Sequence, residues 1–565
     1  MYTKDYKTRL VNISVIFTVI LLLLSLRLLY LQVVWHNKML KRAKGQHYVT
    51  IPQPAKRGTI LDRNLKPLAI NLKVSSVFAV AQDVKNKKEI ARKLSGILNK
   101  DTEFLYKRLS RDKQFVWLKR MVSPSVAGKI KALNIDAIGL VDESKRFYPE
   151  KSLACQLIGF AGIDNTGLEG VEIFYDRYLK GTPGEKRIGR DAKGRYISSL
   201  IQKNIPPIDG YDVVLTIDEV IQYITEEALD KAYKKYHAKE ATAIVMDAKN
   251  YDILAIANRP NYDLNNFLKS SPAARKNISV CTLFEPGSVF KIVTASGCLE
   301  DKAVSLNDVF YCENGSWPVR GRVLHDHRPH GNLTFREVIE QSSNIGTVKA
   351  AMILGDKKLY KYIKLFGFGE KTGIDIPGEI SGMVIPPNKW SKSSITTIPM
   401  GHGVASSPIQ LACAAAVVAN KGVLMKPRII NKIVDLSGKS IVEFKTETKR
   451  RVVSEDTALK VAGLMEGVIL RGTGTLAKIS GYSAGGKTGT AAKIEPSGAY
   501  SKSRYTASFV GFAPIEDPAI VVCIMVDEPH PVYFGGVVAA PAFKEIVNAT
   551  LRYLQIPPRP QEQKK

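Results

Sequence analysis

Hydrophobic and polar positions divide this 565-residue chain into stretches of different rhythm. From Leu10 to Trp35 apolar residues run almost unbroken by charge, with Arg27 the one basic interruption. As a helix that run is about 39 Å long, more than the roughly 30 Å of a bilayer's hydrocarbon layer, and it is longer than the apolar core of a cleaved signal peptide. It therefore predicts an uncleaved membrane anchor at 10–35 behind a short tail at 1–9. Arg27 either snorkels or faces a polar group on a partner helix.

Past the span the pattern shortens. Alternation at Val74 to Val80 predicts a strand, and the charged stretch Lys87 to Leu98 predicts a helix, together an α+β region without obvious chemistry. Gly and Pro from Gly181 to Gly210 mark an elongated hairpin and connector. A new rhythm then begins: a strand at Asp212 to Thr216, a helix at Ile221 to Tyr236 and a strand at Thr242 to Met246. Strands near Gly481 to Ala492, Ala507 to Phe512 and Ile520 to Val526, then a helix at Phe543 to Leu554, complete an antiparallel sheet with helices against it. The expected divisions are 36–210, 211–554 and a disordered tail at 555–565.

Composition narrows the function classes. Lys and Arg outnumber Asp and Glu by 82 to 53, a net charge of +29, which attracts nucleic acid, anionic headgroups or a carboxylate-rich wall, or simply solvates the surface. An anchored chain without zinc-finger spacing or an aromatic-interleaved basic motif argues against nucleic acid. The six cysteines, Cys155, Cys281, Cys298, Cys312, Cys413 and Cys523, contain no Cys-x-x-Cys pair, and their apolar settings predict buried thiols rather than disulfides. His325, Asp326, His327 and His330 lack a fourth ligand at convincing spacing, so neither metal nor cofactor is expected.

Candidate chemistry starts at Ser288-Val289-Phe290-Lys291, behind the turn Glu285-Pro286-Gly287. In a helix beginning there, Ser288 and Lys291 share a face one turn apart, and a neutral lysine can take the serine proton. Ser342-Ser343-Asn344 and Lys487-Thr488-Gly489-Thr490 follow in order. Each is short enough to recur by chance; their sequence, separation and flanks carry the signal.

Together these motifs resemble class B penicillin-binding proteins, the monofunctional DD-transpeptidases. Further matching stretches are Phe284 to Ser288, His330 to Thr334, Gly401 to Val404 leading to Pro408 to Ala412, Arg57 to Asn64, Gly167 to Gly170 with Glu172, Tyr175 and Asp176, and Asp212 to Asp218. Glu143 to Pro149 resembles the division-type branch. The resemblance implies an α+β fold: a membrane helix, an elongated pedestal and a β-lactamase-like transpeptidase domain. By the same resemblance Ser288 is the nucleophile and Lys291 its base, with a pKa lowered by burial and by the other lysine. Ser342 bridges Lys291 and Lys487, Asn344 holds the substrate amide, Thr488 and Thr490 bind the terminal carboxylate, and Gly489 leaves room for the substrate peptide alongside the strand. His402 is expected to be structural. Substrates are peptidoglycan stem peptides, inhibitors are β-lactams, and partners are the cytoplasmic membrane, a membrane glycosyltransferase and divisome proteins. The positive-inside rule does not orient the span, since Lys and Arg flank both ends; the resemblance places the large domain on the outer face. Elongation-type transpeptidation, DD-carboxypeptidase activity and a β-lactam-sensing scaffold remain alternatives. Arg57, Asp62, Arg63, Glu169 and Glu172 are expected to form one buried ion-pair cluster.

Overall fold

The computed structural model describes residues 3–40, 48–113, 115–190 and 196–559. Packing divides the chain into two units: residues 1–56 with 181–209, and residues 57–180 with 210–565.

In the first unit the helix Thr3–Leu29 continues into a π-helical turn, Tyr30–Val34. It starts before the expected residue 10, because Lys4 to Arg9 keep helical conformation and Asp5 pairs with Arg9 one turn on at 3.1 Å. The stretch Asp5–Val34 is long and apolar enough to cross a membrane. Arg27 lies 5.7 Å from the centroid of the Tyr30 ring. Strands Tyr48–Gln53, Gly184–Arg190 and Tyr196–Ile205 form an antiparallel sheet, so the stretch read as a hairpin is one.

In the second unit residues 57–180 pack together with residues 210–565. A seven-stranded sheet runs in the order Ser440–Glu443, Ile430–Val434, Asp212–Leu215, Ile60–Leu61, Pro67–Ala79 and Val116–Val122, with Ile138–Phe147 also paired to Pro67–Ala79. The parallel pairing of Ile60 and Leu61 with Val213 and Val214 joins the N-terminal half to the C-terminal half. Helices Lys87–Leu98, Thr102–Leu109 and Pro124–Ala132 bury Leu94, Leu98, Leu105 and Ile130 against this sheet in a separate small core.

The second major sheet has five strands: Ile253–Arg259, Glu240–Asp247, Ile520–Asp527, Tyr500–Ala513 and Gly485–Ile494, all antiparallel, with Gly485–Ile494 at the edge. Period-two alternation assigns its faces. Val510, Phe512, Val521 and Cys523 join the core containing the helix Pro408–Ala419, while Phe509, Val522 and Ile524 pack with the helices Glu219–Lys235 and Ala540–Tyr553. Asp218 caps the helix Glu219–Lys235 by accepting from the N–H groups of Val220 and Ile221. All six cysteines are free thiols and five are buried. The tail is packed further than expected: Ile556 joins a core, and the Arg559 N–H donates to the Gly481 carbonyl at 2.7 Å. Residues 560–565 lie outside the described part.

The charged cluster is a smaller set than the sequence suggested. Arg57, 2% exposed, donates to Glu172 Oε2 at 2.5 Å and to Asp176 Oδ1 at 2.7 Å, and Arg146 and the Tyr148 hydroxyl complete Glu172. Asp62 instead accepts from the backbone N–H groups of Asn64, Lys66 and Glu219, Glu169 pairs with Arg275, and Arg63 is exposed. Both buried carboxylates are satisfied by several donors, Glu172 by side chains and Asp62 by backbone N–H groups, so Asp62 needs no guanidinium partner.

Candidate active site

The segment that carries Ser288 is held in place by glycines. Gly287 opens a 3-10 turn, Gly287–Phe290, that leads into the helix Lys291–Glu300, buried from Lys291 to Leu299. A Cβ on Gly489 would lie 2.3 Å from Ser508 Oγ, 2.8 Å from Val289 Cγ2 and 2.9 Å from the Pro286 carbonyl. Its absence lets the edge strand close on the turn that carries Ser288, which stays half-buried. Three further groups clasp the turn through Glu285. The Gly403 N–H donates to it at 2.7 Å, His402 Nδ1 lies 2.8 Å away, and the Tyr500 hydroxyl donates at 3.2 Å. His402 is accounted for by this contact.

Ser342 is the meeting point of the site. It sits between the helices Phe335–Glu340 and Asn344–Leu354 with φ of 59°, a left-handed conformation that a serine adopts only when its surroundings hold it there. Lys291 Nζ donates to Ser342 Oγ at 3.2 Å, to the Ser342 carbonyl at 2.6 Å and to Asn344 Oδ1 at 2.8 Å. Lys487 Nζ donates to the same Ser342 Oγ at 2.9 Å. Both lysine side chains are fully buried.

Burial pushes Lys291 down to about 7, against the opposing field of Asp326. Burial, and then the charge of Lys291, push Lys487 well below the ordinary lysine range. Burial is the leading cause for both lysines, and two positive charges sharing one hydroxyl further disfavour the doubly protonated site. The three Lys291 bonds also use the three donors of an ammonium, and none of them goes to Ser288. The direct Ser288–Lys291 contact read from the spacing is not made here; in unliganded sites such bonds commonly tighten only with substrate in place.

The remaining predicted residues are brought together as well. Asn344 Nδ2 donates to the His325 carbonyl at 2.9 Å. Thr488 Oγ1 lies 2.8 Å from Thr473 Oγ1, and Thr490 Oγ1 accepts from the Gly535 N–H at 3.0 Å. Asp326, considered only as a companion of histidines, caps the Asn344 helix: it accepts from Ser343 Oγ at 2.6 Å and from the Asn344 and Ile345 N–H groups. Among the described residues no group of His, Cys, Asp and Glu is arranged to hold a metal ion. Thr473 was missed. Its only local signal is that it lies between Gly472 and Gly474, much as Thr488 follows the glycines Gly485 and Gly486.

A fold of this kind, with two buried lysines on one serine beside an edge strand, matches known proteins throughout. Residues 241–548 match the penicillin binding protein transpeptidase domain, and residues 52–215 match the penicillin-binding protein dimerisation domain. Stage V sporulation protein D of Bacillus subtilis is 37% identical over 98% of this chain and 87% of its own length. The peptidoglycan D,D-transpeptidase FtsI of Escherichia coli is 31% identical over 94% of this chain and 89% of its own. The crystal structure of penicillin binding protein 3 from Mycobacterium tuberculosis complexed with aztreonam superposes with a TM-score of 0.71 at 29% identity, covering 90% of this chain and 98% of that one. This chain belongs to the class B penicillin-binding proteins, a family of peptidoglycan D,D-transpeptidases.

Proposed function

We propose that this protein crosslinks peptidoglycan stem peptides through an acyl-enzyme on Ser288. The observation that carries the reading is that Lys291 and Lys487 converge on one hydroxyl, Ser342 Oγ, at 3.2 and 2.9 Å. Lys291, half-neutral near pH 7, accepts the Ser288 proton as the oxygen attacks the penultimate D-alanyl carbonyl. The bond from that carbonyl to the terminal D-alanine nitrogen then breaks, and Ser342 passes the proton to the leaving amine while the lysines re-protonate it. An amine from a neighbouring stem peptide repeats the steps in reverse.

The donor peptide lies along the free side of Gly485–Ile494, an edge that supplies backbone partners without bulky side chains at Gly485, Gly486 and Gly489. Thr488 and Thr490 take the terminal carboxylate, Asn344 the acyl amide, and the N–H groups of Ser288 and Thr490 the developing oxyanion. The domain roles are an anchor at 10–35, a pedestal at 36–210 and a transpeptidase domain at 211–554, with the large region on the outer face of the cytoplasmic membrane. A septal role, with a membrane glycosyltransferase and other division proteins as partners, is supported by similarity to FtsI. The test is covalent labelling by a fluorescent penicillin with mapping of the labelled peptide. Labelling of Ser288, lost in Ser288→Ala, is the expected result; label on another residue overturns the assignment.

A further inference from the structure

The end of the helix Glu455–Leu470 and the residues just before Ser342 are fastened together by contacts that the reaction described above does not use. Glu340, 3% exposed, closes the helix Phe335–Glu340 two residues before Ser342. Arg471 donates to both of its carboxylate oxygens, from Nη2 at 2.5 Å and from Nε at 3.2 Å. The next residue returns the contact, since Gln341 Nε2 donates to the Arg471 carbonyl at 3.2 Å. Two positions beyond Arg471, the Thr473 N–H donates to the Glu340 carbonyl at 3.3 Å, while the Thr473 hydroxyl holds Thr488 Oγ1 at 2.8 Å.

The backbone around the pair is shaped to admit it. A Cβ on Gly467 would lie 2.0 Å from Glu340 Oε1, and one on Gly472 would lie 2.1 Å from the Glu340 carbonyl. The helix therefore carries glycine on the side where it meets Glu340. Ser342 itself is in a left-handed conformation that a flexible turn would leave, and its hydroxyl must stay within reach of both lysines. A forked guanidinium on a buried carboxylate fixes direction as well as distance, which a single point charge does not.

We infer that Glu340 and Arg471 are a positioning pair for the transpeptidation site: they hold the Ser342 turn against the two lysines and, through Thr473, set the hydroxyl of Thr488. This rests on the serine-acylation reading. The pair touches no reacting atom, and Arg471, with its side chain 56% exposed, is reachable from solvent.

The experiment is a double-mutant cycle on acylation by a fluorescent penicillin, using full-length protein and mapping the labelled peptide. Arg471→Ala lowers the second-order acylation rate between about tenfold and 100-fold, as displacement of a reacting constellation by a fraction of an ångström to 1 Å does. In a Ser342→Ala background the same substitution has a clearly smaller further effect, because the Ser342 hydroxyl is already gone and only the Thr488 contact is left to lose. A purely structural residue gives additive losses, so additivity overturns the proposal, as does an unchanged rate in the single variant. If thermal melting shows that Arg471→Ala does not fold, the same cycle is run with Arg471→Lys, which removes the fork and keeps the charge. Label on a residue other than Ser288 in the wild-type protein overturns the acylation reading itself; additivity with Ser288 labelled overturns only the positioning role.

Discussion

Acylation should rise with pH through about 7, and the reason lies in the burial of Lys291. At pH 7 an ordinary lysine, with a pKa near 10.4, is neutral in only about one molecule in 2,500. With its pKa at about 7, Lys291 is neutral in about half, so burial enlarges the population of competent base by roughly three orders of magnitude. Below pH 6 the rate should fall about tenfold per unit. Lys487→Met removes one of the two donors to Ser342 Oγ and should lower the rate. The assay is single-turnover acylation by a fluorescent penicillin between pH 5 and pH 9. A flat profile, or a midpoint near that of a free lysine, would refute Lys291 as the base. A second consequence concerns stability. The folded protein binds the Lys291 proton less tightly than the unfolded chain, so this residue makes stability rise with pH from about 7 to 10.5. Below pH 7 the full penalty stands, of order 5 kcal/mol from a shift of that size, and the protein should melt at a lower temperature at pH 6 than at pH 9 insofar as Lys291 decides the difference.

Further substitutions test other parts of the structure. Arg57→Ala leaves Glu172 fully buried with Arg146 and Tyr148 alone, and should cost about 3–5 kcal/mol in denaturant unfolding; a loss below about 1 kcal/mol would mean the pair behaves like an exposed one. Where the variant folds, it should impair crosslinking in cells more than penicillin acylation of the purified protein, and equal losses would indicate general unfolding. Gly489→Ala pushes a methyl into Ser508, Val289 and the Pro286 carbonyl, so acylation should drop at least tenfold while the five-stranded sheet persists by circular dichroism. Asp375→Ala strips the acceptor from the buried N–H groups of Ile429 and Ile430 and from the Tyr175 hydroxyl, and should destabilise by about 2–4 kcal/mol, measured by thermal melting.

Local pattern determined much of this protein. Short apolar runs marked Asp212–Leu215, Glu240–Asp247 and Ile520–Asp527, the Gly- and Pro-bearing stretch marked the hairpin of Gly184–Arg190 and Tyr196–Ile205, and the long apolar run marked the N-terminal helix. Such signals are written within one or two turns or strands, where side-chain periodicity and turn chemistry act directly. The motif residues were legible for the same reason, as short words with fixed internal spacing. What the words do to one another was not. Lys291 and Lys487 reach Ser342 from 51 and 145 positions away, and the lowered basicity of both depends on desolvation that only packing creates. The choice of Asp176 and Arg146 rather than Asp62 and Glu169 as companions of Arg57 and Glu172, the sheet shared across residue 210, and the fastening of Glu340 to Arg471 were likewise set by tertiary structure. A contact between distant segments costs chain entropy and is selected by burial and donor geometry in the whole fold, so it leaves no period in the sequence.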